Sequence, residues 1–189
     1  MRVLVAGIAG AIVMYAWASV AHLSPLATIG VQTLPNEGLI VGVLQSNLYN
    51  RGGVYVFPSP RGDQAKAGVK TTSEGLLAYS RASGALMPRR LGIEFALEVV
   101  ESLLLALVAA LATKDFGTRV RLAALVGLIA GLATNGSYWN WYGFGLDYSL
   151  ANAFIEAMKF VVAGLAIAAV LRPRAAASLA APAHSLPDQ

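Results

Sequence analysis

Four stretches of this chain, residues 3–22, 91–112, 120–139 and 150–171, are apolar over the length a helix needs to cross a bilayer. About 20 helical residues span the roughly 30 Å of hydrocarbon. Inside that layer every backbone N–H and C=O must find its partner within the protein, which leaves helix as the form for isolated apolar segments. The sequence therefore predicts an all-α membrane protein with four transmembrane helices. Composition agrees, with 57% hydrophobic and 13% charged residues, well away from the soluble average. The first stretch follows Met1 and Arg2 and has the outline of a signal peptide. Its apolar run exceeds the roughly 7–15 residues of such a segment, so we read it as an uncleaved helix.

Lys and Arg near helix ends orient the spans. Lys114, Arg119 and Arg121 lie between the second and third spans, Arg172 and Arg174 follow the fourth, and neither residue type occurs between the third and fourth. Both termini and the middle loop are expected in the cytoplasm. Arg89 and Arg90 fall on the other side, within a segment too long for the rule to bind. The aromatic run "SYWNWYGFGLDY" at 137–148 then falls at the outer interface, where amphipathic rings anchor a helix.

Residues 23–90 form the one segment large enough to be more than a connector. Asn36 is placed as an N-cap, with Glu37 in the first helical turn. Leu39, Ile40, Val43, Leu44 and Leu48 supply an apolar face. "VYVFP" reads as a strand ended by Pro58, and 76–80 as a second strand. The expectation is a small α+β extracytoplasmic cap between the first two spans, too small to build much core alone. An "RGD" at 61–63 has nothing else to support it. Residues 172–189, rich in Ala and Pro and containing His184, read as a flexible cytoplasmic tail.

The second span carries "EFALEVVESLLLAL" from position 94. Glu94, Glu98 and Glu101 share one helix face, within a sector of about 60°. Twelve Leu, Ile, Val and Phe residues in this span favour insertion by roughly 4–7 kcal/mol. Three carboxylates at about 2.5 kcal/mol each cancel most of that. The span must face protein or water along this stripe. Glu156 and Lys159 sit at matching depth on the fourth span, which runs in the same direction. Depth counting pairs Glu101 with Lys159 and leaves Glu98 and Glu156 close together, short of cations and able to share a proton. Ion-pair packing between two helices accounts for these letters as well as a functional site does. For Glu94, Arg90 one turn earlier offers an interfacial salt bridge of small consequence.

Tyr15, Ser19 and His22 line one face of the first span from mid-membrane outwards and could border the cluster. Ala123, Gly127, Gly131 and Asn135 recur every four residues on the third span. Such a stripe lets helices approach closely, with Asn135 able to bond across the contact. Gly7 and Ala11 on the first span are the matching small surface. No Glu-x-x-His pair of the kind that builds carboxylate metal centres in four-helix bundles occurs. There is no phosphate-cradling glycine loop, metalloprotease helix or serine elbow either. Cysteine is absent, which excludes disulfides and thiolate chemistry. The formal charge of +4 is not gathered into a basic stripe with aromatics, so nucleic acid is not an expected partner. No catalytic residue, metal or cofactor is predicted.

"WASVAHLSPLATIGVQTLPNEGLIVGVLQ", from Trp17, followed by "GGVYVFP" ending at Pro58, resembles a group of small uncharacterised bacterial inner-membrane proteins. These have an N-terminal transmembrane helix, an LPNE-like turn and a Tyr/Phe-Pro strand. The resemblance covers about a quarter of the chain and carries no functional residue with it. It implies a multi-pass protein of the bacterial inner membrane with a periplasmic cap.

Three functions fit these letters. The first is a non-catalytic membrane protein, an accessory or interaction subunit whose partners are the lipid bilayer and other membrane subunits or further copies of itself. The second is a proton or cation pathway through Glu94, Glu98 and Glu101. The third is a metal- or quinone-dependent enzyme using His22 and the same carboxylates.

Overall fold

The computed structural model describes residues 1–49, 51–58, 73–80 and 86–172. The "RGD" at 61–63 and the tail beyond Arg172, with His184, lie outside them. Four helices in the described residues are long and apolar enough to cross a membrane. Helix α1 is Arg2–Leu23, α3 is Met87–Ala112, and α4 is Phe116–Gly131. The last continues through a π-helical segment, Leu132–Gly136, into α5, Ser137–Tyr142. Helix α6 is Leu146–Val170. Between α1 and α3 come a short 3₁₀ turn at Pro25–Thr28, helix α2 at Glu37–Leu48, and an antiparallel hairpin of β1, Gly53–Phe57, with β2, Gly75–Tyr79.

Local chemistry sets the boundaries. Helix α1 stops where Pro25 would lack an N–H to continue it, and Ser24 bridges the junction. Its hydroxyl donates to Ala21 O at 2.8 Å and accepts from Leu26 N. Helix α3 starts at Met87, four residues before the expected Leu91, because Pro88 suits a first helical turn whose N–H groups have no partner anyway. Asp115 caps α4, accepting from Thr118 N at 2.6 Å. The rod from Phe116 to Tyr142 ends at Gly143, whose φ of 74° is a left-handed conformation that suits glycine. Asn36 does occupy the N-cap position of α2, but in a left-handed conformation and with no side-chain capping bond. The first turn closes through its carbonyl instead, to Leu39 and Ile40. Helix α2 has no buried residue.

Helices α4 and α6 form the most extensive contact, followed by α1 with α3 and α1 with α6. Helix α3 touches α6 and α4 only lightly. The four rods thus lie in the order α3, α1, α6, α4, folded round a narrow core. That core is built from small residues: Ala6, Ala11, Ala106, Ala109, Ala123, Ala163 and Ala168 are buried, with Met14 and Ile167 the large apolar side chains fully enclosed. Small side chains let backbones approach closely and gain dispersion contact. Large side chains point outward, among them Leu4, Ile12, Leu104, Leu111, Leu125, Ile129 and Leu150.

Contact surfaces differ from expectation on α4. Ala123, Gly127 and Gly131 pack on α6, not on Gly7 and Ala11 of α1. A Cβ at Gly127 would lie 2.7 Å from Ala157 O, and one at Gly131 would lie 2.7 Å from Ala153 O. Helix α6 has its own small stripe, Ala153, Ala157 and Gly164, and that stripe is the true counterpart. Gly7 serves the α1–α3 contact, where an added Cβ would meet Leu103 at 2.5 Å.

The end of the bundle where α1 begins and α6 ends is closed by arginines. Arg119, 5% exposed, donates through Nε to Thr113 O at 3.0 Å and Ala109 O at 3.3 Å, and through Nη1 to Leu171 O at 3.0 Å. Arg2 donates to Val170 O at 3.1 Å and to Arg172 O, and Arg172 lies over the Phe116 ring at 4.1 Å. Cationic donors here satisfy the last carbonyls of α3 and α6, which no helical N–H can reach.

Candidate functional site

The acidic face of α3 meets α6 near the middle of both helices. Lys159 Nζ lies 3.0 Å from Glu101 and 3.2 Å from Glu156, the latter one turn earlier on the same helix. Lys159 is largely enclosed, its side chain 8% exposed, whereas Glu101 and Glu156 keep 37% and 31%. Glu98 is completely buried, and neither carboxylate oxygen has a hydrogen-bond partner among the described residues. Two carboxylates therefore share one ammonium: Glu156, expected to lie beside Glu98 and short of a cation, pairs with Lys159 instead, and Glu98 is left without a partner among the described residues.

Glu98 belongs to the stripe by which α3 packs: Glu98, Ser102, Leu105, Ala106 and Ala109 are all buried. Glu101 sits at the edge of that stripe. Glu94 is exposed, as are its neighbours Leu91, Ile93, Phe95 and Leu97, because the first part of α3 lies outside the packed bundle. Among the described residues Glu94 has no ion pair, and Arg90 instead approaches Ser80 Oγ at 3.5 Å. The structure thus brings together Glu101, Glu156 and Lys159, buries Glu98 on the same stripe, and leaves Glu94 apart.

Helix α1 secures both sides of this arrangement. Tyr15 meets Phe95 edge-on at 5.4 Å, one turn before Glu98. Trp17 Nε1 donates to Ile155 O at 3.0 Å, next to Glu156. Ser102 Oγ donates to Gly7 O at 2.8 Å, a buried bond one turn beyond Glu98. Other expected lining groups turn to their own helices. Ser19 Oγ donates to Tyr15 O at 2.8 Å, His22 Nδ1 is 2.8 Å from Ala18 O, and Asn135 Nδ2 donates to Gly131 O at 3.0 Å instead of across a helix contact. Short polar side chains satisfy themselves on the preceding turn when no partner stands opposite.

Ser102, Trp17 and Arg119 were not singled out from the sequence. Ser102 carries a usable signal, since it lies four residues after Glu98 on the same face. Arg119 is legible only as a topology charge: two of its carbonyl partners, Thr113 and Ala109, lie across the preceding turn, but the third, Leu171, lies 52 residues on. Among the described residues no group of three or more His, Asp or Glu is arranged to hold a metal ion. His22 is exposed at the end of α1.

Searches against protein-family models, curated proteins and solved structures find no match to this chain. What can be said of it rests on its own residues: four helices of membrane-spanning length, a small two-stranded sheet, and a lysine shared between carboxylates in the middle of the bundle.

Proposed function

We propose that this is an integral protein of a bacterial inner membrane that acts as a non-catalytic subunit of a membrane complex. Both termini are cytoplasmic, and α2 and the hairpin cap the periplasmic side. The apolar exterior of the four long helices supports residence in a bilayer. The orientation is supported by Arg2, Lys114, Arg119, Arg121 and Arg172, which flank the start of α1, the turn between α3 and α4, and the end of α6.

One observation carries the subunit reading. Glu101 and Glu156 keep about a third of their side chains exposed halfway along their helices. At that depth a carboxylate faces protein or water, since facing hydrocarbon costs about 2.5 kcal/mol or more. A transmembrane segment of another chain, or of a second copy, supplies that cover. The test is extraction from native membranes in mild detergent, with mass spectrometry of what co-purifies, for wild type and Glu98→Gln/Glu101→Gln. A stoichiometric partner lost in the variant supports the proposal. A stable, unaccompanied protein whose variant purifies equally well refutes it.

The unpartnered Glu98 favours a second reading, in which the cluster holds a proton or cation in transit. Flux into liposomes that vanishes in Glu98→Gln, with no partner protein present, would select it.

A further inference from the structure

A second feature lies away from the carboxylate cluster. The hairpin and the end of α5 border an open cleft of about 340 Å³, a size suited to a small organic group. Its walls include Phe57 and Pro58 from β1 and its flank, Glu74 before β2, and Trp139, Trp141 and Tyr142 from α5. Glu74 is the one charged residue in the lining, which holds no Lys, Arg or His among the described residues.

The aromatic run divides into two sets. Tyr138 stacks on Phe144 at 5.3 Å and meets Tyr142 at 5.9 Å, and Phe144 meets Tyr148 at 5.5 Å, so these rings, the cleft-lining Tyr142 among them, are engaged with one another. Among the described residues Trp139 and Trp141 join no such ladder, and Trp141 is 76% exposed beside the cleft. Two of the three tryptophans in the chain line this cleft, while the third, Trp17, is tied into the bundle. An anchoring belt alone requires neither a carboxylate nor a hairpin facing it.

We propose that this cleft binds an organic ammonium group. Ring faces carry negative quadrupole potential and attract a cation, most strongly when it is weakly hydrated and alkylated. Glu74 neutralises the charge, and the apolar walls accept the carbon substituents. Among the described residues of the lining an anion would meet a carboxylate and no cationic donor, and a bare metal ion would find a single carboxylate where it needs several oxygen ligands. The ammonium has two possible sources, a phospholipid headgroup at the bilayer surface or a free amine in solution.

The test uses the full chain with Trp17→Phe, in nanodiscs of phosphatidylglycerol, so that emission reports on Trp139 and Trp141. Choline is titrated against 3,3-dimethyl-1-butanol, its uncharged carbon isostere. The expected result is a saturable emission change with choline, weakened about tenfold or more for the isostere and about tenfold in Glu74→Gln. A linear response to choline, equal response to the isostere, or an unchanged titration in Glu74→Gln would each overturn the proposal and leave the run as an interfacial belt. Repeating the titration with phosphatidylethanolamine in the disc separates the sources. A shift of the choline curve to higher concentration assigns the cleft to the headgroup, and an unshifted curve assigns it to a soluble amine.

Discussion

Lys159 on α6 reaches Glu101 on α3 at 3.0 Å, and this is the ion pair that joins two helices which otherwise touch only lightly. Removing the ammonium alone leaves Glu101 and Glu156 facing each other beside the buried Glu98. Breaking an enclosed pair from one side costs about 3–5 kcal/mol. The partial exposure of Glu101 and Glu156 brings the expected loss for Lys159→Met down to roughly 2–4 kcal/mol. Replacing both carboxylates by Gln in the same background should recover most of it. The midpoint of unfolding in mixed detergent measures both, and a Lys159→Met protein as stable as wild type would contradict this account.

Close approach of α4 to α6 depends on the absence of a Cβ at Gly127. Gly127→Ala places one 2.7 Å from Ala157 O and from Phe160 Cβ, so the helices must separate at a cost of about 1–3 kcal/mol. Gly136, on the same rod, has nothing within 4 Å of an added Cβ. Gly136→Ala should leave the midpoint unchanged. Equal effects from the two substitutions would mean that helix propensity, not packing, governs this rod.

Arg119 holds carbonyls from the ends of α3 and α6 with one guanidinium. Arg119→Ala loses charge-assisted bonds and leaves buried carbonyls unpaired, for an expected cost on the order of 2–4 kcal/mol. Arg119→Lys keeps the charge but not the fork, and should restore less than half of that. Protease sensitivity of the segment around Thr113 gives an independent check. It rises in Arg119→Ala if the clamp is real.

Asp115 provides a pH signature. The Thr118 hydrogen bonds at the α4 cap hold its carboxyl below its ordinary value of 3.8, with the Arg121 and Arg119 charges adding to the effect. A depressed folded-state value means that the unfolded chain binds the proton first. The contribution to stability is therefore complete above the ordinary aspartate value and is lost as pH falls through the lower folded one. Unfolding midpoints measured from neutral to acid pH should decline more steeply for wild type than for Asp115→Asn, which keeps a cap but cannot titrate. Parallel curves would show that the cap bond contributes nothing.

The lysine–glutamate contact was legible in the sequence because two spans running the same way can be compared by depth alone. Glu98 and Glu94 show why angular position is not enough. They lie on one face of α3, yet one is sealed and the other exposed, because the bundle closes only along part of that helix. Small-residue stripes are ambiguous for another reason. Gly127 and Gly131 fit any surface lacking bulk, and Gly7 with Ala11 or Ala153 with Ala157 present equally suitable letters. Steric fit in three dimensions chose α6. The hairpin could be read from "VYVF" and its closing proline, whereas its proximity to Trp139 and Trp141 involves residues more than 60 positions away in sequence, and no local pattern records that.

Helix α6 is the neighbour of both α1 and α4, and α1 is bound to it through Trp17 and Arg2. The chain is synthesised in the opposite sense to this arrangement. When α4 has been made its main contact surface has not yet been translated, and α1 has met only α3. Glu101 and the glycine face of α4 therefore stay uncovered until the 25-residue α6, the last helix among the described residues, is made. A nascent chain stalled before Leu146 would hold just the α1–α3 pair. Assembly thus has two stages, an early α1–α3 pair and a late closure in which α6 joins α1 to α4.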